Sequence, residues 1–488
     1  MSDSVINNVE NQVVSLPAAE VDVAKVEDVA KDTTSKYTLC LTMIVKNEGK
    51  IIRRLLDSVT SIVDYVCITD TGSTDNTIEL IRQWADETKI PTTIPVSEFR
   101  NFGYARNKSL ENSHKIYPQA DFLLLLDGDF VVKLNGFTKA ELNLKHHMYN
   151  VKQYDNWKCW GNIRIVANWV SWEYHLRTHE YICASPVQKI YGGEIRTKNI
   201  ATLRINDIGD GGSKSDKYER DQRLLQEDID DPTISDHDRT RCYYYQGNSY
   251  KNGNKFKEAI PFYQKRIEAK GWYEEVYLSW CNIGGCYEEL YNIADRAVKI
   301  ITRRTKETPD SQLITSSLLE YLDDDLAESL TADSQREKEA EAADNIFLTN
   351  HGLVNMTLQE LTSMRDDYFK QAIRNYMQGY SFCKIRAEAL YAVVKMFRTR
   401  SDTEKGDQRK GLFLALEGTK IPIPTQCTLE VQEGIHRYGF DTEIMILAYY
   451  VPGELHHGQA AKDRLSTKVD QMFGSYSSMY NFNKKFYK

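Results

Sequence analysis

From Tyr37 to about Leu126 the chain alternates short apolar runs with stretches whose apolar residues recur at helical spacing. Thr38–Val45 (TLCLTMIV) reads as a buried strand, after which Ile51, Ile52, Leu55, Leu56 and Val59 fall on one helix face. Tyr65–Thr69 predicts a second strand, and Ile78, Ile81, Trp84 and Ala85 predict the next helix. A short strand near Thr92–Val96, a helix over Gly103–Ser113 and the strand Phe122–Leu126 (FLLLL) follow. Strands apolar throughout, separated by helices, indicate a mostly parallel sheet covered on both faces. From Val151 to about Ile200 the pattern turns strand-rich and aromatic, with Trp157, Trp160, Trp169 and Trp172.

Beyond Asp216 the texture becomes helical with little Pro or Gly. Gly247 and Ala259 lie twelve residues apart, and Gly285 and Ala297 repeat that spacing thirty-eight residues later. Small residues at such offsets let antiparallel helices pack closely, as in tetratricopeptide-like hairpins, although Arg266 stands where a small residue is expected. Thr305–Asn345 is acidic and poor in apolar residues, including Asp323, Asp324 and Asp325, and reads as a solvated insertion. The expected organisation is a leader over 1–36, an α/β domain over 37–215 and helical hairpins over 216–305. An acidic insertion over 306–350 and a helical domain over 351–488 complete it.

In open α/β sheets, ligands bind outside the carboxyl ends of the parallel strands. The first predicted strand ends in Lys46-Asn47-Glu48, the second in Asp70-Thr71-Gly72-Ser73-Thr74-Asp75, and the fourth in Asp127-Gly128-Asp129. Three polar clusters at three strand ends form one convergent site. Asp127 and Asp129 flank a glycine directly after five apolar residues, which suits oxygen ligation of Mg²⁺ or Mn²⁺ beside substrate phosphates. The same tripeptide also serves as an acidic turn, and Asp70 with Gly72, Ser73 and Thr74 also serves as a helix start.

Together these features resemble the family 2 glycosyltransferases of the GT-A fold, an α/β, Rossmann-like architecture. MIVKNEGKIIRRLLDSV (43–59), CITDTGSTDNTIELI (67–81), FRNFGYARNKSL (99–110) and LLLLDGDF (123–130) carry the resemblance. It covers roughly residues 37–215, and GDGGSKSDK (209–217), GWYEEVYLS (271–279) and RAEALY (386–391) resemble a subgroup with C-terminal tetratricopeptide-like helices. The resemblance implies an inverting enzyme that uses a nucleoside-diphosphate sugar, by default a uridine diphosphate sugar, with Mn²⁺ or Mg²⁺. It further implies that Asp70 binds the base, Arg106 lies against the nucleotide, Asp127 contacts the ribose or another part of the nucleotide, and Asp129 holds the metal. His179-Glu180 matches the subgroup's His-Glu pair, which makes Glu180 the expected general base and Glu173 the runner-up. Arg164 would steer phosphates or pair with a carboxylate. Many relatives supply a late histidine to the metal, but RINDIGDGGSKSDK (204–217) has none. Asp207 or Asp210 would substitute for it, and Lys214 or Lys217 would meet phosphate.

Composition narrows the alternatives. Lys plus Arg number 62 against 70 for Asp plus Glu, a net charge of −8 that speaks against a general nucleic-acid binder. Nine cysteines without a CxxC pair fit reduced thiols in a cytoplasmic setting better than disulfides or zinc. No apolar run approaches the ~18–20 residues of a membrane span, and residues 1–36, with seven acidic groups and three lysines, lack a signal-peptide core. A nucleotidyltransferase would show an early Gly-rich phosphate loop where Lys46-Asn47-Glu48 stands. A scaffold with a decayed enzyme domain would have lost part of the polar set. The acceptor expected is a glycan or a protein, and the helical half could also bury a homodimer interface.

Overall fold

The computed structural model describes residues 37–155, 158–185, 194–211, 216–306, 336, 339–400, 406–472 and 475–487. The expected leader, Trp157, Lys214 and most of the acidic insertion lie outside them. The chain divides into two compact units, Met1–Asp230 and Asp231–Lys488.

The first unit is built on ten strands. They are β1 (Leu39–Val45), β2 (Tyr65–Asp70), β3 (Thr92–Thr93), β4 (Phe122–Leu125), β5 (Phe130–Leu134), β6 (Met148–Asp155), β7 (Lys158–Ala167), β8 (Trp172–His175), β9 (Tyr181–Ala184) and β10 (Thr197–Asp207). Eight form one sheet in the order β3-β2-β1-β4-β7-β6-β10-β5, and β8 pairs with β9 as a separate hairpin. β1, β2, β3 and β4 run parallel, as does β10 with β6, while β7 and β5 are antiparallel to their neighbours. The apolar strands sort by period two onto two cores. Leu39, Leu41, Met43, Val66, Ile68, Phe122 and Leu124 enter the core with Leu55, Leu56 and Trp84 from α1 (Ile52–Val59) and α2 (Thr77–Thr88). Cys40, Cys67, Leu123 and Leu125 face the other way, into a core with Leu110 and Tyr117 from α3 (Phe102–Ile116) and the residue that follows it. Burial on both faces explains why these runs carry no polar alternation. The unit closes with α4 (Lys217–Asp230).

The second unit is helical. It begins with α5 (Asp236–Asn252), α6 (Phe256–Glu268) and the long α7 (Tyr273–Lys306), followed by a helix over 339–350 (α8). Next come α9 (Leu358–Phe382), α10 (Glu388–Thr399) and α11 (Asp407–Gly418). α12 (Phe440–Tyr450), α13 (Leu455–Ser466) and α14 (Ser475–Asn483) complete it. α5 and α6 form the expected close hairpin: a Cβ on Gly247 would meet the buried Tyr263 ring at 2.7 Å. The second copy of the spacing differs from expectation, because Gly285 and Ala297 both lie within α7. No Gly or Pro interrupts the chain between them, so the helix continues where a hairpin turn was expected. The out-of-pattern Arg266 is buried, donating from Nε to Glu275 (2.8 Å) and from Nη2 to the Trp272 carbonyl (3.1 Å). It fixes the α6–α7 connection by charge where the repeat pattern would use a small residue.

Gly247→Ala separates packing from propensity. Alanine gains up to about 1 kcal/mol of helix propensity, but overpacking against Tyr263 costs about 1–3 kcal/mol. The expected result in denaturant unfolding is a net loss, with Tyr263→Phe leaving that loss in place and Tyr263→Leu relieving it.

Candidate active site

The strand-end clusters do meet at one edge of the sheet, and local chemistry explains how. β1 ends at Val45, and the chain turns at Asn47, whose φ of 56° lies in the left-handed region that Asn tolerates. Asn47 Oδ1 accepts from Thr74 N at 2.7 Å, and Asn47 N donates to Ser73 Oγ at 3.0 Å, tying the ends of β1 and β2 together. Asp70, buried at the end of β2, accepts from Ser73 N (3.0 Å) and Gly72 N (3.2 Å). Its carboxylate therefore organises the turn that follows it.

Asp127 and Asp129 sit between β4 and β5. Asp127 is gripped by two arginines: Arg106 Nη2 from α3 at 2.6 Å and Arg164 Nη1 from β7 at 3.6 Å. Arg106 Nε also donates to Glu180, so one guanidinium bridges two carboxylates. Burial pushes the Asp127 carboxyl up, but the charges of Arg106 and then Arg164 outweigh it and hold the group below the usual carboxylate range. Arg164 is itself buried, lies 4.7 Å over the Phe130 ring and donates to Gln153 Oε1 at 2.8 Å, while its Nε has no hydrogen-bond partner.

Glu180 reaches Arg106 because the β8–β9 hairpin is docked on two helices. Asn107 exchanges two hydrogen bonds with the Tyr174 backbone (2.7 and 3.0 Å), and Phe102 N donates to the Arg177 carbonyl (2.9 Å). From α4, Asp228 accepts from Arg177 N at 2.8 Å, and Asp221 Oδ2 lies 3.9 Å from His179 Nε2. Glu173 is exposed and alternates along β8 with Tyr174, whose ring faces Arg106 at 5.8 Å.

A second carboxylate group stands beside the first. A Cβ on Gly211 would lie 3.2 Å from Asp129 Oδ2 and 3.3 Å from Glu48 Oε1, so the two carboxylates converge on the space above that glycine. Gly128 makes room for this, since a Cβ there would meet Glu48 Cγ at 3.1 Å. Asp207 ends β10, pairs in register with Phe130 and accepts from Gln153 Nε2 at 3.1 Å. Burial, then the charge of Asp129, pushes its carboxyl above the usual range. Asp210 turns away to a bidentate pair with Arg54 (2.6 and 2.8 Å), which ties this loop to α1.

Residues 40–154 of this chain match the family model described as Glycosyl transferase family 2. The chain carries a family 2 glycosyltransferase domain. Among solved structures, S. aureus TarS 1–349 is 14% identical over 48% of this chain and 80% of its own length, with a TM-score of 0.29. The same protein in complex with UDP-GlcNAc is 13% identical over 51% of this chain and 83% of its own, with a TM-score of 0.29. Glucosyl-3-phosphoglycerate synthase from Mycobacterium tuberculosis, in complex with Mn²⁺ and UDP-glucose, is 18% identical over 25% of this chain and 44% of its own, with a TM-score of 0.18. No curated protein matches the chain.

Within the glycosyltransferase domain, Asp129 and Glu48 bring carboxylate oxygens, the donor type a hard divalent cation takes, to one space, and Asp207 lies near enough to Asp129 to feel its charge. Among the described residues, Glu48 is the contributor that motif reading assigned no role. Its signal was its place, directly after β1 at the ligand-bearing edge. Arg54, which carries Asp210 away, was likewise unassigned. Lys214 lies outside the described residues, and Lys217 opens α4.

The like-charge group makes a prediction whose sign is fixed by Asp207. A carboxyl with a raised pKa in the folded state disfavours folding above that pKa, and the penalty disappears as pH falls. Asp207→Asn should therefore raise the cation-free melting temperature at neutral pH by about 2–4 °C for each ~1 kcal/mol relieved. That gain should vanish in acid, and the variant should lose stabilisation by added Mn²⁺. A melting temperature that is lower at neutral pH would contradict the mutual repulsion.

Proposed function

We propose that the chain is an inverting glycosyltransferase that moves a sugar from a nucleoside-diphosphate sugar, by preference a uridine diphosphate sugar, to an acceptor hydroxyl on a glycan or a protein. The observation that carries this reading is the convergence of Glu48, Asp127, Asp129 and Asp207 with Arg106 and Glu180 at the ligand-bearing edge of a family 2 domain. Nine cysteines joined by no disulfide support a cytoplasmic setting. Among the described residues, no helix is long and apolar enough to cross a membrane.

In this reading Asp70 takes the nucleobase through lone pairs that its turn does not use, and Asp127 takes the ribose. Asp129, Glu48 and Asp207 hold Mn²⁺ or Mg²⁺, which when bound offsets the charge of the departing diphosphate. Lys214 and Lys217 are assigned to the phosphates. Glu180 is the general base. Arg106 donates to it, and the donor's phosphates would compete for that arginine, which frees the carboxylate to accept a proton. The acceptor oxygen then bonds to the anomeric carbon as the bond from that carbon to the diphosphate oxygen breaks. The acceptor's proton passes to Glu180, and the bonding pair leaves with the nucleoside diphosphate.

A panel of sugar nucleotides with Mn²⁺ or Mg²⁺, read by released nucleoside diphosphate, tests the reading. One donor should turn over in a metal-dependent way, and Asp129→Ala should abolish it. Glu180→Gln should lower kcat roughly 10²–10⁴-fold with donor affinity retained, while Glu173→Gln changes little. Silence across the panel, together with no donor-induced thermal shift, would favour a scaffold protein with an inactive domain.

A further inference from the structure

The second unit displays a connected row of aromatic rings to solvent. Tyr450, Tyr449, Phe486 and Phe482 follow one another at centroid distances of 5.3, 5.1 and 6.1 Å. All are exposed, Phe482 by 62% and Tyr450 by 58%. The usual order of burial is inverted here. Tyr480 and Tyr487, in the same short segment, are buried at 5% and 7%, while the less polar Phe482 and Phe486 face outward. The segment is not left loose, because Tyr487 Oη donates to the Met445 carbonyl of α12. Its apolar display is therefore held in place by its own polar aromatics.

Charge selects the partner. Between Leu455 and Lys488 the sequence has six Lys or Arg against two Asp, in a chain whose net charge is −8. Lys485 Nζ lies 4.1 Å over the Phe482 ring and 5.2 Å over Phe486, and Lys484 Nζ lies 5.5 Å over Tyr480. Lysines set among the rings suit a surface that takes aromatics at its boundary and cations at its anionic headgroups. They suit a second copy of the chain less, since interface cores are depleted in Lys. Phenylalanine also offers no hydrogen bond with which to read a sugar hydroxyl.

We infer that the Tyr449–Tyr450–Phe482–Phe486 face is a peripheral docking site for an anionic lipid surface. The rings enter the headgroup boundary, and Lys484 and Lys485 meet the lipid charge. The interaction is reversible and weakens with salt.

Co-sedimentation of the full chain with phosphatidylcholine vesicles, with and without phosphatidylserine, tests it. The protein should pellet with the anionic vesicles and be released by salt. Lys484→Gln with Lys485→Gln should weaken partitioning roughly 30-fold, from about a factor of five per lysine. Phe482→Ser with Phe486→Ser should abolish it, and both variants should keep the native melting temperature and any donor hydrolysis. Three results would overturn the inference. They are no pelleting at low salt, equal pelleting with neutral vesicles, and a change of oligomeric state in the Phe variant that accounts for the exposed face.

Discussion

Several carboxylates are brought to one edge of one sheet, and the fold has to neutralise them. A buried charge costs several kcal/mol unless it is paired and hydrogen-bonded. The answer here is Arg106, whose guanidinium joins Asp127 to Glu180, backed by Arg164 from the neighbouring strand. Arg106 comes from α3, Arg164 from β7, Asp127 from just past the end of β4 and Glu180 from the β8–β9 connection, directly before β9. The ion group thus fixes how helix, sheet and hairpin meet. Asp129, Glu48 and Asp207 stand beside this group, and burial together with the charge of Asp129 holds the Asp207 carboxyl above its usual range.

Much of this was legible in the sequence because parallel strands buried on both faces leave a plain mark. Runs such as Phe122–Leu126 have no polar positions to confuse their period, and a parallel strand delivers whatever follows it to the same edge. Asp70, Asp127 and Asp129 each follow such a strand, so the pattern alone directs them to one edge. What could not be read was pairing across the chain. Arg106 and Glu180 are separated by 74 positions, and no local pattern links them. Glu48 was visible at a strand end, but its convergence with Asp129 depends on the missing side chains of Gly128 and Gly211. In the helical half, small-residue spacing suggested two hairpins. Only the absence of a breaker between Gly285 and Ala297 decides that the second is one continuous helix, and spacing alone does not weigh that absence.

The helical unit handles charge by the same rule, with a different outcome. Arg386 is buried, donating to Glu388 at 2.9 and 3.0 Å and to the Leu429 carbonyl at 2.9 Å. Tyr277 Oη donates to that same Glu388 at 3.1 Å, so every partner is satisfied inside the unit. This closed network holds α7, α10 and the 429–432 segment together and offers little to a ligand.

The central claim is that the carboxylates at that edge hold a divalent cation together with a nucleoside diphosphate. Titrating Mn²⁺ into the full chain, followed by the loss of the free-ion electron paramagnetic resonance signal with and without UDP, tests it without any acceptor. Coupling between two ligands is reciprocal, so UDP should tighten Mn²⁺ binding and Mn²⁺ should tighten UDP binding by the same factor. Both effects should disappear in Asp129→Asn. Mn²⁺ binding that ignores UDP, or that survives Asp129→Asn unchanged, would contradict the account.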